Sequence, residues 1–178
     1  MTDSDFVAGG VARIRPFEQA DVSRVVASFA QHEWHKPTET FEDYLDEQRH
    51  GARTCYVAEV GDAIAGYCTL LWESSYQPFR AAGIPEIADL NVLPPFRNHG
   101  VGSALLDTVE STAGARGAVV GLGVGLYADY GAAQRLYVRR GYLPDGRGVM
   151  YEYRPVAPCQ SIPIDDDATL MMTRVLRD

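Results

Sequence analysis

The segment Arg97-Asn98-His99-Gly100-Val101-Gly102-Ser103 puts two glycines and two basic side chains between a strand that stops at Pro94-Pro95 and an apolar helix. That placement carries a chemistry. The first N–H groups of a helix have no partner within it and bear the positive end of its dipole, so they suit a pyrophosphate. Gly100 and Gly102 let a ligand approach the backbone, and Arg97 and His99 supply positive charge. A second segment, Ala133-Gln134-Arg135-Leu136-Tyr137-Val138-Arg139-Arg140-Gly141-Tyr142, sets an aromatic pair around a glycine stop. A third, Gly123-Val124-Gly125-Leu126-Tyr127-Ala128, fits the loose pattern of a dinucleotide-binding turn. That pattern needs an acidic residue closing the next strand about twenty positions on. Asp145 instead lies in a turn between Pro144 and Gly146, and too little chain remains for further βαβ units. The glycines are better read as letting the fifth strand diverge from the fourth.

The elements that must position these residues follow from periodicity. Arg13–Pro16 reads as a strand, and Asp21 as the cap of a helix carrying Val22, Val25, Val26 and Phe29. Gln31–Pro37 is a loop. Thr40 with Asp43 reads as a capping box for a helix with Phe41, Tyr44, Leu45 and Gln48 on one face, ended by Gly51. Thr54–Val60 and Ala63–Trp72 form a hairpin about Gly61-Asp62. A loop with Tyr76, Pro78, Phe79 and Gly83 leads to the strand Glu86–Val92. Helices from Gly100 to about Ala113 and from Gly131 to Arg140 bracket the strand Ala118–Val124, and Val149–Tyr153 and Leu170–Leu176 close the chain. The order predicts an α/β fold in one domain: a mixed sheet of about seven strands flanked by about four helices, with the core over 11–176 and residues 1–10 flexible.

Bulk composition narrows the function. The formal charge of −8 opposes broad attraction to nucleic acid or anionic membrane and suits a cationic substrate. Three scattered cysteines give neither a disulfide framework nor a zinc spacing, so no metal is expected. Residues 1–10 lack a basic and an apolar region, and no run approaches a membrane span, which points to the cytoplasm.

Arg97-x-x-Gly100-x-Gly102, after Val-x-Pro and before an apolar helix, resembles the acetyl-CoA signature of the GCN5-related N-acetyltransferase (GNAT) superfamily. Leu136-Tyr137 ahead of Gly141-Tyr142 resembles the same superfamily's fourth-helix motif. The likeness spans roughly residues 13–153 and implies the GNAT fold and acetyl-CoA as acetyl donor. It places Leu90, Asn91, Val92, Arg97, Asn98, His99, Gly100, Val101, Gly102 and Ser103 on the cofactor, with a backbone N–H near Val92 on the developing oxyanion. It also implies that Tyr137 protonates the departing thiolate. One departure stands out. Where relatives carry an asparagine against the pantetheine arm, this chain has Tyr130.

An alkylammonium must lose a proton before it attacks, so a carboxylate is expected, with Glu86 and Asp89 as candidates. Three apart on a strand, these two should not share a face. The first inter-helix loop and the connection before the fourth strand flank the acetyl end in the family fold. They supply Trp34, His35, Trp72, Glu73, Tyr76 and Phe79, aromatic and acidic groups that suit a small amine. The expected activity is acetyl transfer to a primary amine by direct attack in a ternary complex. The expected partner is a small-molecule acceptor rather than nucleic acid or membrane, with a homodimer left open. A non-catalytic acyl-CoA-binding module and a protein or peptide N-acetyltransferase are the alternatives.

Overall fold

The computed structural model describes residues 11–176; the expectation for residues 1–10 falls outside them. The chain runs β1 (Arg13–Pro16), α1 (Asp21–Ala30), α2 (Thr38–Arg49), β2 (Arg53–Val60), β3 (Ala63–Leu71), α3 (Gln77–Ala82), β4 (Glu86–Val92), α4 (Val101–Gly114), β5 (Val119–Gly125), α5 (Gly131–Arg139), β6 (Leu143–Tyr151), β7 (Arg154–Pro155) and β8 (Ala168–Val175). One sheet of eight strands results, in the order β1-β2-β3-β4-β5-β8-β6-β7. All pairs are antiparallel except β4 with β5.

Strand alternation sorts side chains between two helical layers. Tyr67 of β3 meets Phe29 of α1 at 5.4 Å and Phe41 of α2 at 5.3 Å between ring centroids. On the opposite face, the Tyr56 hydroxyl lies 2.8 Å from Thr112 Oγ1 of α4. Phe29, Phe41, Leu105, Leu106 and Val109 are fully buried between helices and sheet. α1 is pinned at its start by charge: Arg15 reaches both Asp21, at 2.6 Å, and Glu59, at 2.7 Å, while Arg24 joins the same two carboxylates.

The structure corrects the expected caps. Asp21 is the first helical residue and Ala20 its cap; the Asp21 carboxylate instead accepts from the Glu18 N–H and Arg15. Thr40 lies inside α2, whose cap is Pro37, so no Thr40–Asp43 capping box forms. α3 replaces an expected loop, with Pro78 in its first turn and Gly83, left-handed at φ 63°, ending it. β6 starts at Leu143 rather than Val149, and the pair β6–β7 adds a short hairpin.

Two features of β4 prepare a site. Its pairing with β5 is limited to Glu86↔Gly121 and Ile87↔Leu122, after which the strands part. Its register against β3 slips between Tyr67 and Thr69, so Asp89 and Leu90 together oppose Cys68. Asp89 takes φ 51° at this bulge, a left-handed conformation that Asp tolerates better than most residues.

Candidate functional site

The bulge overturns the expectation that Glu86 and Asp89 face opposite sides. The inserted residue resets the alternation, and Asp89 accepts a hydrogen bond from the Tyr44 hydroxyl of α2, on the layer that Tyr67 faces. Glu86 points to that layer too. It is 2 % exposed and accepts from the Ser74 and Tyr153 hydroxyls, the latter at 2.9 Å. Burial holds the Glu86 carboxyl above its usual range, against the pull of those two bonds and of Arg53. Tyr153 reaches it from the β6–β7 turn, where Glu152 and Tyr153 adopt φ 49° and 61°. The Arg53 guanidinium lies 4.1 Å from the centre of the Tyr44 ring and donates to Thr69 Oγ1 at 2.7 Å, which fixes Tyr44 under Asp89.

Lys36 completes this cluster. Its Nζ stands 3.8 Å from Asp89 Oδ2 and 5.3 Å from the centre of the Tyr67 ring. The Tyr67 hydroxyl is the buried side-chain polar atom that lacks a hydrogen-bond partner among the described residues. Burial first, and then the Asp89 charge, hold Tyr67 and Tyr44 firmly protonated.

Beyond the end of β4, the chain changes character. A 3₁₀ turn, Pro94–Phe96, leads into Arg97–Gly100, all exposed. Asn98 and Gly100 take φ 63° and 84°, folding the turn so that α4 begins with no side-chain cap on its first N–H groups. Backbone donors in such a turn form a cradle for an anion. Leu93 N–H bonds Ala65 O at 2.9 Å toward β3, so by alternation the Val92 N–H points toward β5, which no longer pairs there. Asn91 Nδ2 donates to Asp89 O at 3.1 Å. Arg97 donates from Nε to Val92 O at 3.0 Å, and its guanidinium lies 5.0 Å from the centre of the Trp34 ring.

Across the gap stands α5. Tyr137 is 6 % exposed, its ring 5.7 Å from that of Tyr142, and its hydroxyl makes no hydrogen bond to another described residue. Burial above all keeps it protonated. Tyr130 lies against Gly125, where a Cβ would meet its ring at 2.4 Å, and its hydroxyl donates to Asp166 at 3.0 Å. Gly121 likewise makes room for Phe79, at 2.2 Å from a built Cβ. Gly121 and Gly125 therefore admit aromatic rings against β5, and the stretch of β5 that carries Gly123 and Gly125 lies beyond its last pairing with β4.

The structure divides the six expected acceptor residues. Trp34 packs on Phe29 at 5.7 Å and under Arg97, beside the cluster, while His35 is exposed in the same loop. Trp72 lies on the other face, bonding Thr54 at 3.0 Å with Arg116 3.8 Å from its ring centre at the far end of α4. Glu73 is exposed and pairs with Arg80 at 3.5 Å. Tyr76 and Phe79 are buried, packed edge to face at 4.9 Å with Met150 and Met171, and the Tyr76 hydroxyl donates to Asp145 at 2.7 Å. Sequence reasoning missed Tyr44, Tyr67, Arg53, Tyr153 and Lys36. One signal was available: Lys36 is the single lysine of the chain.

Burial disfavours thiol chemistry at Cys55, which it pushes up to about 12, and at Cys68, which it also pushes up. Among the described residues no group of three His, Cys, Asp or Glu side chains could hold a metal ion, and no helix is long and apolar enough to cross a membrane.

The sequence profile of the acetyltransferase (GNAT) family matches residues 23–142. No curated protein matches the chain by sequence. Solved structures with the same fold include Ard1 from Thermoplasma volcanium (21 % identity, TM-score 0.68, covering 94 % of this chain and 99 % of that one). Ribosomal-protein-alanine N-acetyltransferase from Brucella melitensis is similar at 20 % identity and TM-score 0.68, covering 92 % and 99 % of the two chains. So is yncA from Salmonella typhimurium, solved with its cofactor acetyl-CoA, at 17 % identity and TM-score 0.68 over 94 % and 95 %.

Proposed function

Because this chain belongs to the GNAT family of acetyltransferases, we propose that it passes the acetyl group of acetyl-CoA to a primary amine of a small molecule by direct attack in a ternary complex. The observation that carries the reading is the layout of β4: an anion cradle beyond its C-terminal end, a carboxylate–tyrosine cluster at its bulge, and an unpaired edge between them. The residues present fit acetyl-CoA, which when bound supplies an activated acyl thioester.

The first-turn N–H groups of α4 and the exposed Arg97 side chain hold the pyrophosphate, and Gly100 gives the turn the left-handed residue it needs. The unpaired edge of β4 lies along the pantetheine arm, with Tyr130, fixed by Asp166, in the place relatives give to asparagine. The Val92 N–H faces the thioester oxygen and stabilises the charge that develops there. Tyr137 donates its proton to the departing sulfur: its buried hydroxyl is protonated and unengaged by other side chains. Asp89 is the better base of the two carboxylates. A third of its side chain is exposed and reaches an incoming ammonium, whereas Glu86 is sealed by Ser74 and Tyr153. Glu86 thus acts as a positioning residue that anchors the β6–β7 turn beside the acceptor.

A thiol-release assay over free amines, polyamines, aminoglycosides and N-terminal peptides tests this reading. Turnover with small alkylamines is expected. Turnover confined to peptides or protein lysines would move the acceptor to the peptide class, and CoA binding without turnover would leave a binding module.

A further inference from the structure

Lys36 belongs to the loop between α1 and α2, and it is the one lysine among 16 basic side chains. Its ammonium stands where the proposed function puts the acceptor's: 3.8 Å from the Asp89 carboxylate and over the face of Tyr67. A carboxylate beside an aromatic face is the pairing that recognises an alkylammonium. Lys36 is about a quarter exposed, held by that single ion pair, and its stem is flexible. From Asp89 to Val92 is roughly 10 Å of strand, within the combined reach of a lysine side chain and a loop.

We propose that Lys36 is an acceptor in cis: the chain acetylates its own single lysine, and loss of that charge frees Asp89 for the ammonium of an external amine. The inference rests on the acetyl-transfer reading above. The step balances without further reagents. The Lys36 ammonium first releases one proton to water by way of Asp89; the neutral Nζ then forms an N–C bond to the acetyl carbon of acetyl-CoA while the C–S bond breaks, and gives a second proton to Asp89. Tyr137 protonates the departing CoA sulfur, and Asp89 passes its proton through water to Tyr137. The products are an uncharged amide on Lys36 and free CoA thiol. The single ion pair of a partly exposed ammonium is worth about 0.2–1 kcal/mol, so its loss should tighten binding of a competing amine by about five-fold at most.

The test incubates the full chain with acetyl-CoA and reads intact mass and peptide maps, while CoA-dependent thermal stabilisation is followed separately. One acetyl group is expected on Lys36, appearing at a rate independent of protein concentration, absent from Lys36→Arg and slowed at least tenfold in Asp89→Asn. Lys36→Gln, which carries the uncharged amide, is expected to show a KM for propylamine two- to fivefold below that of Lys36→Arg. If CoA stabilises the chain and Lys36 stays unmodified, the inference falls and the acetyl-transfer reading stands. Modification at an equal rate in urea-unfolded chain overturns it as chemical acetylation. Modification that speeds up with protein concentration overturns transfer in cis. Failure of CoA to stabilise the chain overturns both readings.

Discussion

The Arg97–Ser103 turn and the Asp89 cluster sit on either side of the C-terminal half of β4, yet they are built in opposite ways. The turn is contiguous, exposed over Arg97–Gly100, and its donors are backbone N–H groups set by two left-handed residues and a helix start. The cluster is half-buried and assembled from Lys36, Tyr44, Arg53, Tyr67 and Asp89, on four elements and a loop. A site made of backbone depends on local conformation and tolerates side-chain drift. One made of converging side chains can change its ligand by changing one residue, and function is carried by such sites more than by the fold that holds them.

The sharpest way to break this contrast is to attack the backbone half. Gly100→Val forces a β-branched residue to φ 84°. CoA at about a hundredfold above its dissociation constant should stabilise the native chain by about 2.7 kcal/mol, and the variant should lose that shift, as read by thermal melts with and without CoA. A full shift in the variant would show that the turn does not hold the ligand.

Next in size is Tyr137→Phe, which removes only a buried hydroxyl. Turnover should fall about a hundredfold or more while CoA binding stays within about twofold, measured by thiol release and titration calorimetry. Asp89→Asn follows, with an expected fall of about tenfold in kcat/KM for an alkylamine, because water can reach the one-third exposed site and take over part of the proton transfer. Its CoA-dependent melting shift should not change. Loss of both would mean that the two halves are not separable.

The smallest effect concerns Glu86. Its carboxyl is held above the usual 4.5 by burial, so the folded chain binds that proton more tightly than the unfolded one. The contribution to stability is complete below pH 4.5 and is lost as pH rises through the raised value. Glu86→Gln, whose amide oxygen still accepts from one hydroxyl while its NH2 can donate to the other, should flatten this decline in urea midpoints taken from pH 4 to 8, with kcat/KM changed by less than about threefold.

The contrast also explains what could be read from sequence. β4 was legible to the residue, from Glu86 to Val92, since strand and proline signals agree there. The turn and Tyr137 were legible because their spacing is local. α3 was not: Pro78 and Gly83 read as loop signals, yet they are equally a helix's first-turn proline and its terminal glycine. The N-terminal half of β6 was hidden because Gly146 and Gly148, both at positive φ, mark an irregularity within a strand and not its absence. Asp89 was found, but its neighbours were not, because Tyr44 and Tyr67 look like ordinary core aromatics until a bulge turns a carboxylate toward them. Periodicity alone cannot announce a bulge, and here one inserted residue put Glu86 and Asp89 on the same face.

The central claim is that both halves of β4 act at once, holding donor and amine together while acetyl passes directly between them. Initial rates of CoA release, measured over a grid of acetyl-CoA and propylamine concentrations with Lys36→Arg to remove the internal lysine, test it most directly. Double-reciprocal lines that intersect to the left of the axis, with no acetylated protein trapped in the absence of amine, are the expected result. Parallel lines with a chemically competent acetyl-enzyme would contradict it.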